Sequence, residues 1–206
     1  MGVVILDRQH GWKSNTNFHA GVSKESLREV DLTRMIIAGM WDQLEHSGHK
    51  VYIFTVGTYR ARHQEAARLA KLHSREKVVY LAQHINSIEG AEKGRAVYFY
   101  DKRSLRGRQL AEELEARMDG AFEFNRVTKT LECYDDSDKP NGWLHRPFTT
   151  IEGIYDGPAN LCGVCSEPVR MQDMPLSTTG ESLFRILHTV AQRQSIAVDA
   201  FLRSWA

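Results

Sequence analysis

The stretch "KVVYLAQHINS", residues 77–87, decides how the rest of the chain reads. Its first half is a continuous apolar run of strand length, rich in β-branched and aromatic residues. A strand of that kind is buried on both faces, as in parallel sheets. The run ends in His84, a polar side chain that can bind metal. In open α/β sheets, residues just past the C-terminal ends of parallel strands converge on one crevice. His84 is therefore a candidate site residue, provided that other strand ends bring it partners.

Working outward, similar runs recur. "GVVIL" (2–6), "KVYIFTV" (50–56), "RAVYFYD" (95–101) and "NLCGVCSE" (160–167) read as further short strands. Between them lie segments of helical period. In "VDLTRMIIAGMWDQLEHSG" (30–48), Leu32, Met35, Ile36, Met40 and Leu44 form an apolar stripe, and Gly48 sits where a helix C-cap belongs. In "RARHQEAARLAKLHS" (60–74), Ala66, Leu69, Ala70 and Leu72 lie on or near one face. "SLRGRQLAEELEARM" (104–118) and residues 180–203 complete the set. Strands alternating with helices predict an α/β domain: one mostly parallel, twisted sheet with helices on both faces. Residues 1–206 read as a single domain. Residues 121–150, with the turn-rich "ECYDDSDKPNGW", depart from the alternation and read as an excursion in which Tyr134 and Trp143 offer flat faces.

Composition narrows the function. The chain carries 27 Lys plus Arg against 26 Asp plus Glu, a net charge of +1, so nucleic acid and anionic membranes are not the expected partners. No segment approaches the roughly 20 apolar residues of a membrane span. "MGVVILD" enters a strand directly and has no basic leader, so synthesis in a cytoplasm without a signal peptide is expected. Of the three cysteines, Cys162 and Cys165 have the spacing of half a zinc or redox motif, but nothing completes it, and buried strand filler is the expectation.

Three polar residues, far apart in sequence, occupy positions that can meet His84 at its crevice. The first strand runs into "DRQHG" and presents His10. Glu29 opens the first long helix, with Glu25 one helical turn earlier as its rival. The strand at 161–166 runs into Glu167, which reads either as a reactive carboxylate or as a strand-end cap. Two histidines and a carboxylate form a common catalytic zinc set, and a second carboxylate beside it can move protons. The remaining histidines, at 19, 46, 49, 63, 73, 145 and 188, read as solvated helix or loop residues.

The order of these motifs resembles the zinc-dependent N-acetylmuramoyl-L-alanine amidases of the amidase 3 type. The resemblance rests on "VVILDRQHG", on "REVDLTRMIIAGMWDQLEHSGHKVYIFT", on "RARHQEAARLA" with "VVYLAQHINS", and on "CGVCSEP". It covers most of residues 2–118 and 161–203, with "HINS" its most specific part. The chain departs from the pattern in lacking the glycine before His10, the second glycine after it, and the Gly-Phe that follows the late glutamate. The resemblance implies a phosphorylase/hydrolase-like α/β fold and one Zn²⁺ per chain on His10, Glu29 and His84, with Glu167 as general base and acid. It further implies peptidoglycan as partner, with hydrolysis of the amide between N-acetylmuramic acid and L-alanine. With no leader visible, it is consistent with a bacteriolytic phage endolysin. Two alternatives share these features: another zinc peptidase or deacylase on the same scaffold, and a non-catalytic wall- or protein-binding domain.

Overall fold

The computed structural model describes residues 1–14, 16–86, 95–101, 104–122, 127–133, 159–174 and 180–205. Among these, the strands are β1 (Val3–Ser14), β2 (Asn17–His19), β3 (Ser23–Lys24), β4 (Leu27–Arg28), β5 (Lys50–Val56), β6 (Val78–Gln83), β7 (Arg95–Asp101), β8 (Val127–Cys133) and β9 (Leu161–Glu167). The helices are α1 (Glu29–His46), α2 (Tyr59–Leu72), α3 (Leu105–Met118) and α4 (Gly180–Ser204), with a 3-10 turn at Met171–Asp173.

The sheet is mixed around a parallel centre. β1 runs parallel to β5 on one side and to β6 on the other, and β6 runs parallel to β9. β7 is antiparallel to β9 and parallel to β8. The strands at this centre carry the apolar runs read from the sequence, and alternation divides their side chains between two cores. Val4, Leu6, Val79, Leu81, Cys162 and Val164 pack with α1, α3 and α4. Val3, Ile5, Val78, Tyr80, Leu161 and Cys165 pack with Ala66, Leu69 and Ala70 of α2. Each fully buried aliphatic side chain contributes on the order of 1.5–3 kcal/mol, so these two layers dominate the fold's stability.

Two stripe residues face outward instead. Met35 and Leu72 are exposed, and on α1 the buried face turns to the other flank of the stripe, where Ile37 is buried. α1 ends as its glycine predicts. Gly48 has φ +86, its N–H donates to Glu45 O, and His49 N donates to Leu44 O, the paired bonds of a Schellman cap.

Two expectations change. β1 does not stop at residue 6 but continues to Ser14, past the end of its pairing with β6 at Arg8. Beyond that point the antiparallel β2 pairs with β1, while Trp12 still pairs with Val56 of β5. β2 therefore occupies the position beside β1 that β6 has vacated. Second, part of the 121–150 excursion belongs to the sheet, because Val127–Cys133 pairs along β7. Tyr134 and Trp143 lie outside the described residues. The reading of the cysteines as buried strand filler stands: Cys162 and Cys165 are both buried and lie in cores on opposite faces of the sheet, so the two thiols cannot clasp one ion. Among the described residues no helix is long and apolar enough to cross a membrane.

Candidate metal centre

Three elements deliver one atom each to a single point. His10 lies on the extended part of β1, Glu29 is the first residue of α1, and His84 follows β6 directly. His10 Nε2 stands 3.1 Å from Glu29 Oε1, His84 Nδ1 stands 3.0 Å from the same oxygen, and the two nitrogens are 3.2 Å apart. Among the described residues, these three are the group whose ligand atoms could share a metal ion.

Local structure fixes each of them. The backbone N–H of His84 donates to Ser166 O at 2.8 Å, which seats it on β9. Glu29 is 2% exposed, yet both carboxylate oxygens are engaged: Ile85 N–H donates to Oε1 at 3.0 Å and Val22 N–H to Oε2 at 2.9 Å. Gly21, with φ +75, lies so close to this carboxylate that a side chain there would meet Glu29 Oε2. Glu25 is not one helical turn before Glu29. It occupies the turn between β3 and β4 with φ +52, and α1 begins only at Glu29.

The electrostatics describe a site built around a negative centre. Burial alone would raise the Glu29 carboxyl, but the ring nitrogens of His10 and His84 beside it outweigh this and hold it well below the usual carboxylate range. Burial lowers the His10 ring and keeps it neutral against the pull of Glu29. Burial would lower His84 as well, but the bond to Glu29 and the charges of Glu29 and Glu167 raise it. A tetrahedral zinc with bonds of about 2.0–2.1 Å separates its ligand atoms by about 3.3 Å. The triangle found here, with sides of 3.0–3.2 Å, fits that ion.

Glu167 ends β9 beside this cluster. Gln83 pairs with Ser166, so the next residues, His84 and Glu167, are neighbours across the strands. Glu167 is 7% exposed, and its Oε2 has no hydrogen-bond partner among the described residues. Burial, with Glu29 adding to it and His84 opposing it, pushes its carboxyl up to about 7. A buried carboxyl of this kind is suited to take and return a proton near neutrality.

One comparison settles the family. Residues 4–141 match the family model described as N-acetylmuramoyl-L-alanine amidase. The chain belongs to that amidase family. Solved amidase structures share its fold. The catalytic domain of CwlV from Bacillus (Paenibacillus) polymyxa var. colistinus is 15% identical with a TM-score of 0.66, over 98% of this chain and 99% of that one. AmiC2 of Nostoc punctiforme is 16% identical with a TM-score of 0.64, over 98% and 97%. Cwp6 from Clostridium difficile is 16% identical with a TM-score of 0.67, but this chain spans only 29% of its length. No curated protein matches the chain.

Against the amidase pattern, the two glycines missing around His10 have structural substitutes. Gln9, 1% exposed, donates to Asp7 Oδ2 at 2.6 Å and to Tyr80 OH at 3.1 Å. Trp12 stands half-exposed against Phe18 of β2, with ring centroids 5.1 Å apart. The expectation for the other histidines holds for His46 and His188, which are exposed, and fails for three. His49 bridges Gly2 N and Asp199, His73 bridges Tyr52 OH and Glu76, and His63 is buried against Tyr80. Burial pushes His63 down to about 3, so it stays neutral. His145 lies outside the described residues. His19 is exposed but not idle: its Nδ1 stands 2.9 Å from His10 Nδ1.

Proposed function

We propose that this amidase-family chain hydrolyses the amide joining the lactyl group of N-acetylmuramic acid to the L-alanine of the peptidoglycan stem peptide. His10, Glu29 and His84 would hold one zinc ion. The observation that carries this reading is the convergence of three ligand atoms within 3.2 Å beside a buried carboxylate whose Oε2 has no hydrogen-bond partner among the described residues. Zinc bound there supplies a Lewis acid that polarises a carbonyl oxygen and acidifies water.

The chain's own groups supply the rest. Val22 and Ile85 hold the Glu29 carboxylate in one orientation through backbone N–H groups. Glu167, whose carboxyl burial raises toward neutrality, accepts the proton of the attacking water at Oε2. Protonated in that step, it returns the proton to the departing L-alanine amine, which cannot leave as an anion. Burial makes this shuttle effective by excluding competing water from the carboxyl.

Mass spectrometry of purified peptidoglycan after digestion tests the reading. Stem peptides with a free L-alanine amino terminus are expected, and a chelator should abolish them. Cleavage within the glycan or between stem amino acids would assign a different hydrolase. Glu167→Gln should keep zinc and lose about 10²–10⁴-fold in turnover, the scale of a general acid–base contribution. His84→Ala should lose the metal as well.

A further inference from the structure

We infer that His19 is a positioning residue that fixes the tautomer of His10, leaving His10 Nε2 as a bare lone-pair donor toward the metal centre. The inference rests on the zinc reading above and extends it to a residue outside the ligand triangle.

The argument starts from a group whose role is not negotiable. A backbone N–H can only donate, and Gly21 N donates to His19 Nδ1 at 3.2 Å. That nitrogen of His19 therefore carries no proton. His10 Nδ1 lies 2.9 Å from the same atom. Two lone pairs do not meet at this distance, so His10 Nδ1 carries the hydrogen and donates it. The ring planes are inclined by 24° with centroids 5.0 Å apart. An approach of 2.9 Å between nitrogens is too short for face-on stacking, so the rings meet edge to edge, as an N–H···N bond requires.

A neutral imidazole has one ring proton. With a proton held on Nδ1 toward His19, the nitrogen left to ligate a metal is Nε2, which lies 3.1 Å from Glu29 Oε1 and 3.2 Å from His84 Nδ1. The opposite tautomer would present an N–H at Nε2 and could not ligate a metal there. Metal-bound histidines are commonly oriented by a partner on the far ring nitrogen. Here another histidine on the β1–β2 hairpin fills that place, delivered by the pairing of Gly11 with His19.

Two substitutions in the full chain separate hydrogen bonding from packing. His19→Phe keeps a flat ring and removes the acceptor. His19→Gln removes the ring and keeps an acceptor oxygen. Zinc affinity is read by competition with a chromophoric chelator, without recourse to activity. The expected result is affinity weakened about 10–100-fold in His19→Phe and largely restored in His19→Gln. Parent-like affinity in His19→Phe, or equal losses in both variants, would overturn the inference while leaving the zinc reading intact. A parent protein that fails to take zinc from the competitor would overturn both.

Discussion

Glu167 is held in a setting that opposes its charge, and the cost is measurable. Its carboxyl ionises near the ordinary value of 4.5 in the unfolded chain and at about 7 in the folded one. The folded state therefore keeps a proton that the unfolded state releases first. This contribution is fully present below about pH 4.5, is lost as pH rises to about 7, and then levels off. A difference of this size corresponds to roughly 3 kcal/mol. In urea unfolding of the metal-free proteins at pH 4.5 and pH 8, Glu167→Gln should escape a loss of that order which the parent suffers. Identical changes in the two proteins would show that the carboxyl is not buried as described. Gly21 offers a second test on this scale. Its φ of +75 and its contact with the Glu29 carboxylate leave no room for a methyl group. Gly21→Ala should displace Glu29, cost about 1 kcal/mol in backbone strain, and lower zinc stoichiometry in metal analysis of the purified protein. The positions of His84, Glu29 and Glu167 were legible in the sequence because strand ends and helix starts have local signatures. His19 was not, because its place depends on a hairpin folding residue 19 back onto residue 10. His49 and His73 were misread for the same reason, since His49's partner Asp199 is 150 residues away and Tyr52, bonded to His73, lies on another element.

Among the elements, β1 is the one whose extent sequence patterning understated. Residues 7–14, "DRQHGWKS", lack the apolar alternation of a strand, yet they continue one. Long-range contacts replace the missing pattern. Arg62 of α2 donates to Arg8 O at 2.8 Å and Gln9 O at 3.1 Å, and pairs with the buried Asp7 carboxylate at 2.9 Å. Tyr80 OH donates to that carboxylate as well. The backbone immediately before His10 is thus clamped from a neighbouring helix. Arg62→Ala would strand Asp7 as a buried charge and should cost about 3–5 kcal/mol in denaturant unfolding. A loss below 1 kcal/mol would mean that Asp7 is not a charged partner in this network. β5, β6, β7 and β9 were readable because each is a largely apolar run, whereas β2, β3 and β4 are only two or three residues long and carry no such signal. β8 was concealed by its charged and polar residues, and it is the last strand of the sheet among the described residues.

At the scale of the whole molecule, the ligand triangle spans long stretches of chain. His10 and His84 are 74 residues apart, and Glu29 and His84 are 55 apart. Neither gap can close until β1 and β6 lie side by side and α1 has docked on them. The centre thus completes only after these elements have come together, because each of its contacts must first meet a loop-closure cost. This makes the ion a brake and not a guide. Zinc present during refolding should leave the folding rate unchanged, whereas at about 100 times its dissociation constant it should slow unfolding by up to about 100-fold. Stopped-flow traces with and without a chelator distinguish the two limbs, and a faster refolding phase with zinc would place the triangle inside the folding nucleus. Loss of metal from a folded chain would then shorten the native lifetime without altering the route by which the chain returns.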